Sequence, residues 1–213
     1  MALAVSAEEF LPARLSLKSA REAVQHCRGC DLYKNATQAV FGEGRRTASL
    51  MMVGEVPGDE EDKQGLPFVG PAGRLLDEAL DEAGIAREEV YVTNAVKHFR
   101  WEARGKRRLH KKPTTRQIEA CKPWLMAEIL MVEPKAIVCL GATAAQSMLG
   151  KDFRITKHRG KLFKSEHAGW LTATYHLSAI LRAPDREDRH RMREEFVKDL
   201  RHVAAKLSVA ANR

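Results

Sequence analysis

Apolar positions along the chain fall into two recurring patterns. Short continuous apolar runs bounded by Gly, Pro or Asn predict buried strands at Ser49–Val53, Val90–Val96, Ala136–Leu140 and Leu171–Tyr175. Between them, apolar residues recur every three or four positions. Gly73–Ala83 stacks Leu75, Leu76, Ala79, Leu80 and Ala83 on one stripe, and Gly84 caps it. Ile118–Val132 repeats the pattern with Cys121, Leu125, Ile129 and Val132 before Pro134. Ala142–Leu149 follows the third strand directly, and Glu187–Leu207 is a long charged amphipathic helix. Strands alternating with helices predict a three-layer α/β/α sandwich around a central parallel sheet of about four strands. One domain over residues 1–213 is expected, with 1–15 and 208–213 fraying.

In such folds ligands sit beyond the carboxyl ends of the strands, so the segments after each strand carry the chemistry. Gly54–Gly73 holds five glycines and three prolines, which bring backbone amides close to a ligand and keep them stiff. Phe68 stands alone among turn residues, either as a stacking platform for a planar ligand or as a ring tucked onto the core, and Glu55 and Asp59 place carboxylates at the strand exit. The segment 94–113 is dense in Lys and Arg with aromatics interleaved, a surface suited to phosphate backbones. His176 closes the last strand, where a histidine can donate to a developing anion.

Composition narrows the class. Thirty-six basic against 28 acidic residues leave a formal charge of +8, which favours a polyanionic partner. No apolar run is long enough to span a bilayer, and the N-terminal stretch lacks a signal-peptide pattern, so a cytoplasmic protein without a membrane partner is expected. Nothing calls for an obligate oligomer, and a monomer is expected. Four cysteines are too few for a disulfide scaffold. Cys27-x-x-Cys30 and Cys121 read as thiolate ligands in need of a fourth, for zinc or an iron–sulfur cluster. Cys139, inside an apolar strand run, reads as a small buried hydrophobe.

Taken together, the motifs resemble the uracil-DNA glycosylase superfamily, specifically its iron–sulfur family 4 and the UdgX offshoot. The pieces are Cys27-x-x-Cys30, Gly-Glu-x-Pro-Gly at Gly54–Gly58, Gly65-Leu-Pro-Phe-Val-Gly70, Thr93-Asn94, and His176-Leu-Ser178 where the family has His-Pro-Ser. Lys106-Arg107-Arg108-Leu109-His110 looks like the Lys-Arg-Arg-Ile-His loop that separates UdgX from ordinary family 4 enzymes. The resemblance implies uracil-containing DNA, single strands preferred, as the partner. It implies that Phe68 stacks on a flipped uracil, Asn94 reads its O4 and N3–H edge, and His176 hydrogen-bonds O2. Gly54, Val56 through its backbone, and Asp59 complete the implied uracil-binding set. His110, with Glu55 beside it, would capture the sugar C1′ as a covalent adduct in a single turnover. Lys106, Arg107, Arg108 and Ser178 would contact DNA.

Three positions depart from the pattern: Val56 stands for Gln, Leu177 for Pro, and His98 where family 4 has its third cysteine. The implied 4Fe-4S cluster is therefore assigned to Cys27, Cys30, His98 and Cys121, with Cys139 as the alternative fourth ligand. Two other functions stay open at this point. One is a turnover glycosylase that releases uracil and leaves an abasic site. The other is a uracil-DNA binding module without catalysis.

Overall fold

The structure is a computed structural model that describes residues 6–211. Six strands and eight α-helices follow in chain order: α1 Leu17–Val24, β1 Leu50–Gly54, α2 Asp59–Gln64, α3 Pro71–Glu82, β2 Val90–Asn94, β3 Trp101–Arg104, β4 Arg107–His110, α4 Thr115–Val132, β5 Ala136–Leu140, α5 Ala142–Leu149, α6 Ile155–His158, β6 Trp170–Thr174, α7 Leu177–Leu181 and α8 Arg186–Ala211. Four of the strands form a parallel sheet in the order β2-β1-β5-β6. The predicted sandwich is the observed one, with strand ends shifted by one or two residues.

Strand alternation builds the two cores. Leu50, Met52, Val90, Val92, Val138 and Leu140 pack with α3, α7 and α8. Met51, Val53, Tyr91, Ile137, Cys139, Leu171 and Ala173 face the other way, toward α4 and α5. Both faces are covered, so these strands read as unbroken apolar runs.

Helix α4 is apolar on two sides. Leu125, Ile129 and Val132 meet the sheet. Cys121, Trp124, Ala127 and Met131 meet an outer layer built from Ala20, Val24, Cys27, Leu32 and Phe41. A capping box between Thr114 and Gln117 starts the helix, and Glu133 in the left-handed region ends it.

One expectation differs. The basic segment after β2 is partly an antiparallel hairpin, β3–β4, turning through Gly105 at φ 58°, where His110 pairs with Trp101. The short alternating stretches were masked in the sequence by their charge. Within the described residues at the termini, Ala7–Phe10 forms a 3₁₀ turn with Ala7 buried, and α8 continues to Ala211. The expectation for 1–5 and 212–213 lies outside the described residues. No helix among the described residues is long and apolar enough to cross a membrane.

Candidate functional site

The carboxyl ends of β1, β5 and β6 open on a cavity of about 130 Å³. Glu55, His110, Gly141, Thr143, His176, Ser178 and Arg182 contribute to its wall. That volume equals about four waters, enough for one small planar ring and little else. Gly141, at φ 91°, lets the backbone pass directly under the imidazole, because a Cβ there would lie 2.9 Å from the His176 Cβ.

His176 is the N-cap of α7, and its Nδ1 accepts the Ser178 N–H at 3.1 Å. An imidazole that accepts at Nδ1 is neutral with its proton on Nε2, so the free nitrogen is a donor. Burial pushes its pKa down to about 4, with His110 and Arg182 adding to the shift and Glu55 opposing it. His110 is exposed at the cavity mouth. Desolvation of its ring also lowers its pKa, helped by Arg182 and opposed by Glu55 and Glu61, so it is neutral at pH 7.

These shifts have a pH consequence. The folded pKa of His176 lies below its ordinary value of 6.5, so the unfolded chain takes up the proton first. Its contribution to stability is complete above pH 6.5 and is lost as pH falls toward 4. A reaction that uses this imidazole as a donor is expected to hold its dependence on this group flat down to about pH 5. A single inflection near 6.5 that disappears in His176→Gln would contradict the geometry.

Next to the cavity, Gly54, Asn94 and Phe68 converge. A Cβ on Gly54 would sit 2.2 Å from Asn94 Oδ1 and 2.9 Å from Phe68 Cζ. Phe68 adopts φ 56°, a left-handed conformation rare for an aromatic residue, and Gly73 permits it by leaving room for the Phe68 carbonyl.

The remaining predicted residues are placed elsewhere. The Val56 side chain is buried in the outer core with Phe41, Val96 and Trp124, away from the cavity. Asp59 does not line the cavity; it binds Lys63 and Arg108, each at 2.5 Å, and these partners hold its pKa below the ordinary carboxylate value despite partial burial. Arg108 also reaches the fully buried Asp62 at 2.6 Å, and its guanidinium lies over Phe99 and Trp101. The guanidinium assigned to phosphate is thus engaged within the protein. It ties the hairpin bearing His110 to α2, because Asp62, which also accepts from Thr37, needs a cation. Lys106 and Arg107 remain exposed at the hairpin.

An Arg108→Gln variant is expected to lose about 2 kcal/mol of stability. Trypsin should then cut at Lys106 and Arg107 faster than in wild type, while sites in α8 are cut at the unchanged rate. Equal cutting at the hairpin would show that another contact holds it.

The cysteines fall into two places. Cys139 lies in the core cluster on the α4 and α5 face of the sheet, and burial alone pushes its thiol up to about 12. Cys27, Cys30 and Cys121 share the outer cluster. Cys27 Sγ receives Trp124 Nε1–H at 3.3 Å and Gly29 N–H at 3.5 Å, and Cys121 Sγ receives Lys97 N–H at 3.3 Å. Donors aimed at sulfur suit thiolates that ligate metal. His98 is buried beside Lys97; burial lowers its pKa to about 4, with Arg28 adding and Asp62 opposing. Among the described residues no three such side chains converge on one metal ion. A four-iron cluster would instead present each iron to a different ligand.

Two features escaped the sequence reading. Thr143 and Arg182 line the cavity, and only their position after β5 and β6 signalled it. Lys97 and Glu128 form a wholly buried ion pair at 2.5 Å. A lysine ending an apolar run was the sole hint.

Fold and site together define an α/β domain with a small cavity at the carboxyl edge of a parallel sheet. The sequence profile of the uracil DNA glycosylase superfamily matches residues 41–201. A Type-4 uracil-DNA glycosylase of Thermotoga maritima is 40% identical over 178 residues, covering 83% of this chain and 89% of that one. A second, from Pyrobaculum aerophilum, is 35% identical over 193 residues, covering 87% and 92%. The crystal structure of wild-type SMUG2 from Pedobacter heparinus superposes with a TM-score of 0.50 at 10% identity, over 75% of this chain and 77% of that one, a likeness of fold. This chain belongs to the uracil DNA glycosylase superfamily.

Proposed function

We propose that this protein cleaves the N-glycosidic bond of uracil in DNA, and that His110 captures the sugar left behind. The relatives named as uracil-DNA glycosylases support the first part. A flipped uracil stacks on Phe68 and is read by Asn94, whose amide offers both a donor and an acceptor. As the C1′–N1 bond breaks, its electron pair stays on uracil, and the His176 Nε2–H donates to the O2 where that charge collects. Cys27, Cys30, His98 and Cys121 would hold a 4Fe-4S cluster. When bound, it would cross-link the outer layer to α4 and the start of the hairpin segment.

Capture rests on one observation: His110 lines the same cavity as His176 and Glu55. Its neutral nitrogen would form the bond to the electron-deficient C1′, and the second ring nitrogen would then release its proton to Glu55 or solvent. A fixed nucleophile outcompetes a single water through its effective concentration.

The second reading is turnover, in which Glu55 activates water and an abasic site is released. The names of the relatives favour it over capture. A denaturing gel with a uracil-containing single strand separates the two. Capture predicts a heat- and detergent-stable band that needs uracil and vanishes in His110→Ala, with about one uracil freed per protein. Several uracils freed per protein without that band would establish turnover. Binding without uracil release would refute both.

A further inference from the structure

A groove of about 510 Å³ runs between the Cys27–Cys30 loop and the start of α4. Arg28, Lys34, Arg100 and Arg116 line it, with Asp31 as its acid. None of these four cations has a carboxylate within ion-pair distance among the described residues. Asp31 accepts Gln117 Nε2–H at 2.9 Å through Oδ1 and keeps its charge, so the groove wall holds four cations against one carboxylate. The excess of positive charge lining one groove is repulsive, and a bound polyanion would relieve that repulsion.

The groove is continuous with the hairpin base. Arg100 directly precedes Trp101, the register partner of His110, and its carbonyl accepts Lys111 N–H at 2.8 Å. Its guanidinium donates to the Lys112 carbonyl, which fixes it at the junction. A strand whose uracil enters the cavity beside His110 would leave past this junction. Tyr33, the one aromatic ring in the groove wall, carries the Arg28 guanidinium over one face at 4.4 Å.

We propose that this groove holds the phosphodiester backbone of the DNA strand flanking the uracil nucleotide, through charge and without reading sequence. The proposal rests on the uracil-DNA reading above. It makes the face beside the cysteine loop part of the DNA path.

Lys34 and Arg116 suit the test, since among the described residues neither side chain makes an ion pair or hydrogen bond and both are exposed. A Lys34→Gln/Arg116→Gln protein is compared with wild type by fluorescence anisotropy on thymine-only single strands of about 5 and about 20 nucleotides. On the long strand, affinity at low salt is expected to fall about tenfold, and the slope of log K against log salt to shrink by about 1.4, two single-strand phosphate contacts. Affinity for the short strand and uracil release from a short uracil strand are expected to stay unchanged. The exchange Lys34→Arg/Arg116→Lys is expected to bind the long strand as wild type does.

An unchanged affinity and slope on the long strand would overturn the proposal. Equal losses on both strands would do so too, because they would assign the effect to net charge instead of a groove. If wild type releases no uracil, yet the length-dependent loss is seen, the groove stands and the glycosylase reading fails.

Discussion

A Gly54→Ala protein is expected to keep wild-type secondary structure and to release uracil about a hundredfold more slowly, or worse. The added methyl group would stand 2.2 Å from Asn94 Oδ1 and 2.9 Å from Phe68 Cζ. Neither neighbour can yield freely. Asn94 is buried at the end of β2, paired in register with Gly54 itself. Phe68 is held in a left-handed backbone conformation by the turn that Gly73 makes possible. The methyl group therefore displaces the proposed stacking ring and the proposed base reader together. Single-turnover release of uracil measures the effect, with circular dichroism as the control. Near-normal release would mean that the base sits elsewhere, with the cavity wall of Glu55 and Thr143 as the next place to look.

The second large effect concerns stability. Lys97→Met is expected to cost about 3–5 kcal/mol, read as a shift in the urea midpoint. Lys97 and Glu128 have no exposed side-chain surface. Glu128 accepts from Gly42 N–H at 2.8 Å, Thr93 Oγ1–H at 2.9 Å, Tyr91 Oη–H at 3.2 Å and Lys97 Nζ at 2.5 Å. Without the lysine, a buried carboxylate keeps its neutral donors and loses its countercharge. The double variant Lys97→Met/Glu128→Gln removes both charges and is expected to recover most of the loss. If the single variant costs no more than the double one, the pair contributes little as a pair.

The same lysine bears on the site. Its Nζ also donates to the Asn94 carbonyl at 2.8 Å, and its backbone N–H donates to Cys121 Sγ. One residue thus joins the proposed uracil reader to the cysteine layer. Only a folded chain brings those groups within reach.

Local order explains what could be read beforehand. Apolar runs and turn residues predict β1, β2, β5, β6, α3, α4, α5 and α8 because each pattern reflects a contact with a nearby layer. The glycine- and proline-rich stretch after β1 shows itself because unusual backbone angles need those residues nearby in sequence. Motif residues Glu55, Phe68, Asn94, His110 and His176 were legible through resemblance, and they come to the carboxyl edge of the sheet or its rim. Asp62 shows the converse. In an acidic run it looks solvated, yet it is fully buried because Thr37 and Arg108 converge on it from distant positions.

The sequence by itself determined the layer architecture, the carboxyl-edge location of the site and the chemical types of its residues. Those follow from periodicity, backbone permissiveness and spacing, all of them local. The tertiary structure alone decided which charges are free and which are engaged. Arg108 meets α2 across 46 positions and Lys97 meets Glu128 across 31, while Lys34 and Arg116 meet no carboxylate among the described residues. A charge is committed by what folding brings beside it, and that depends on separations in space the order of residues does not display.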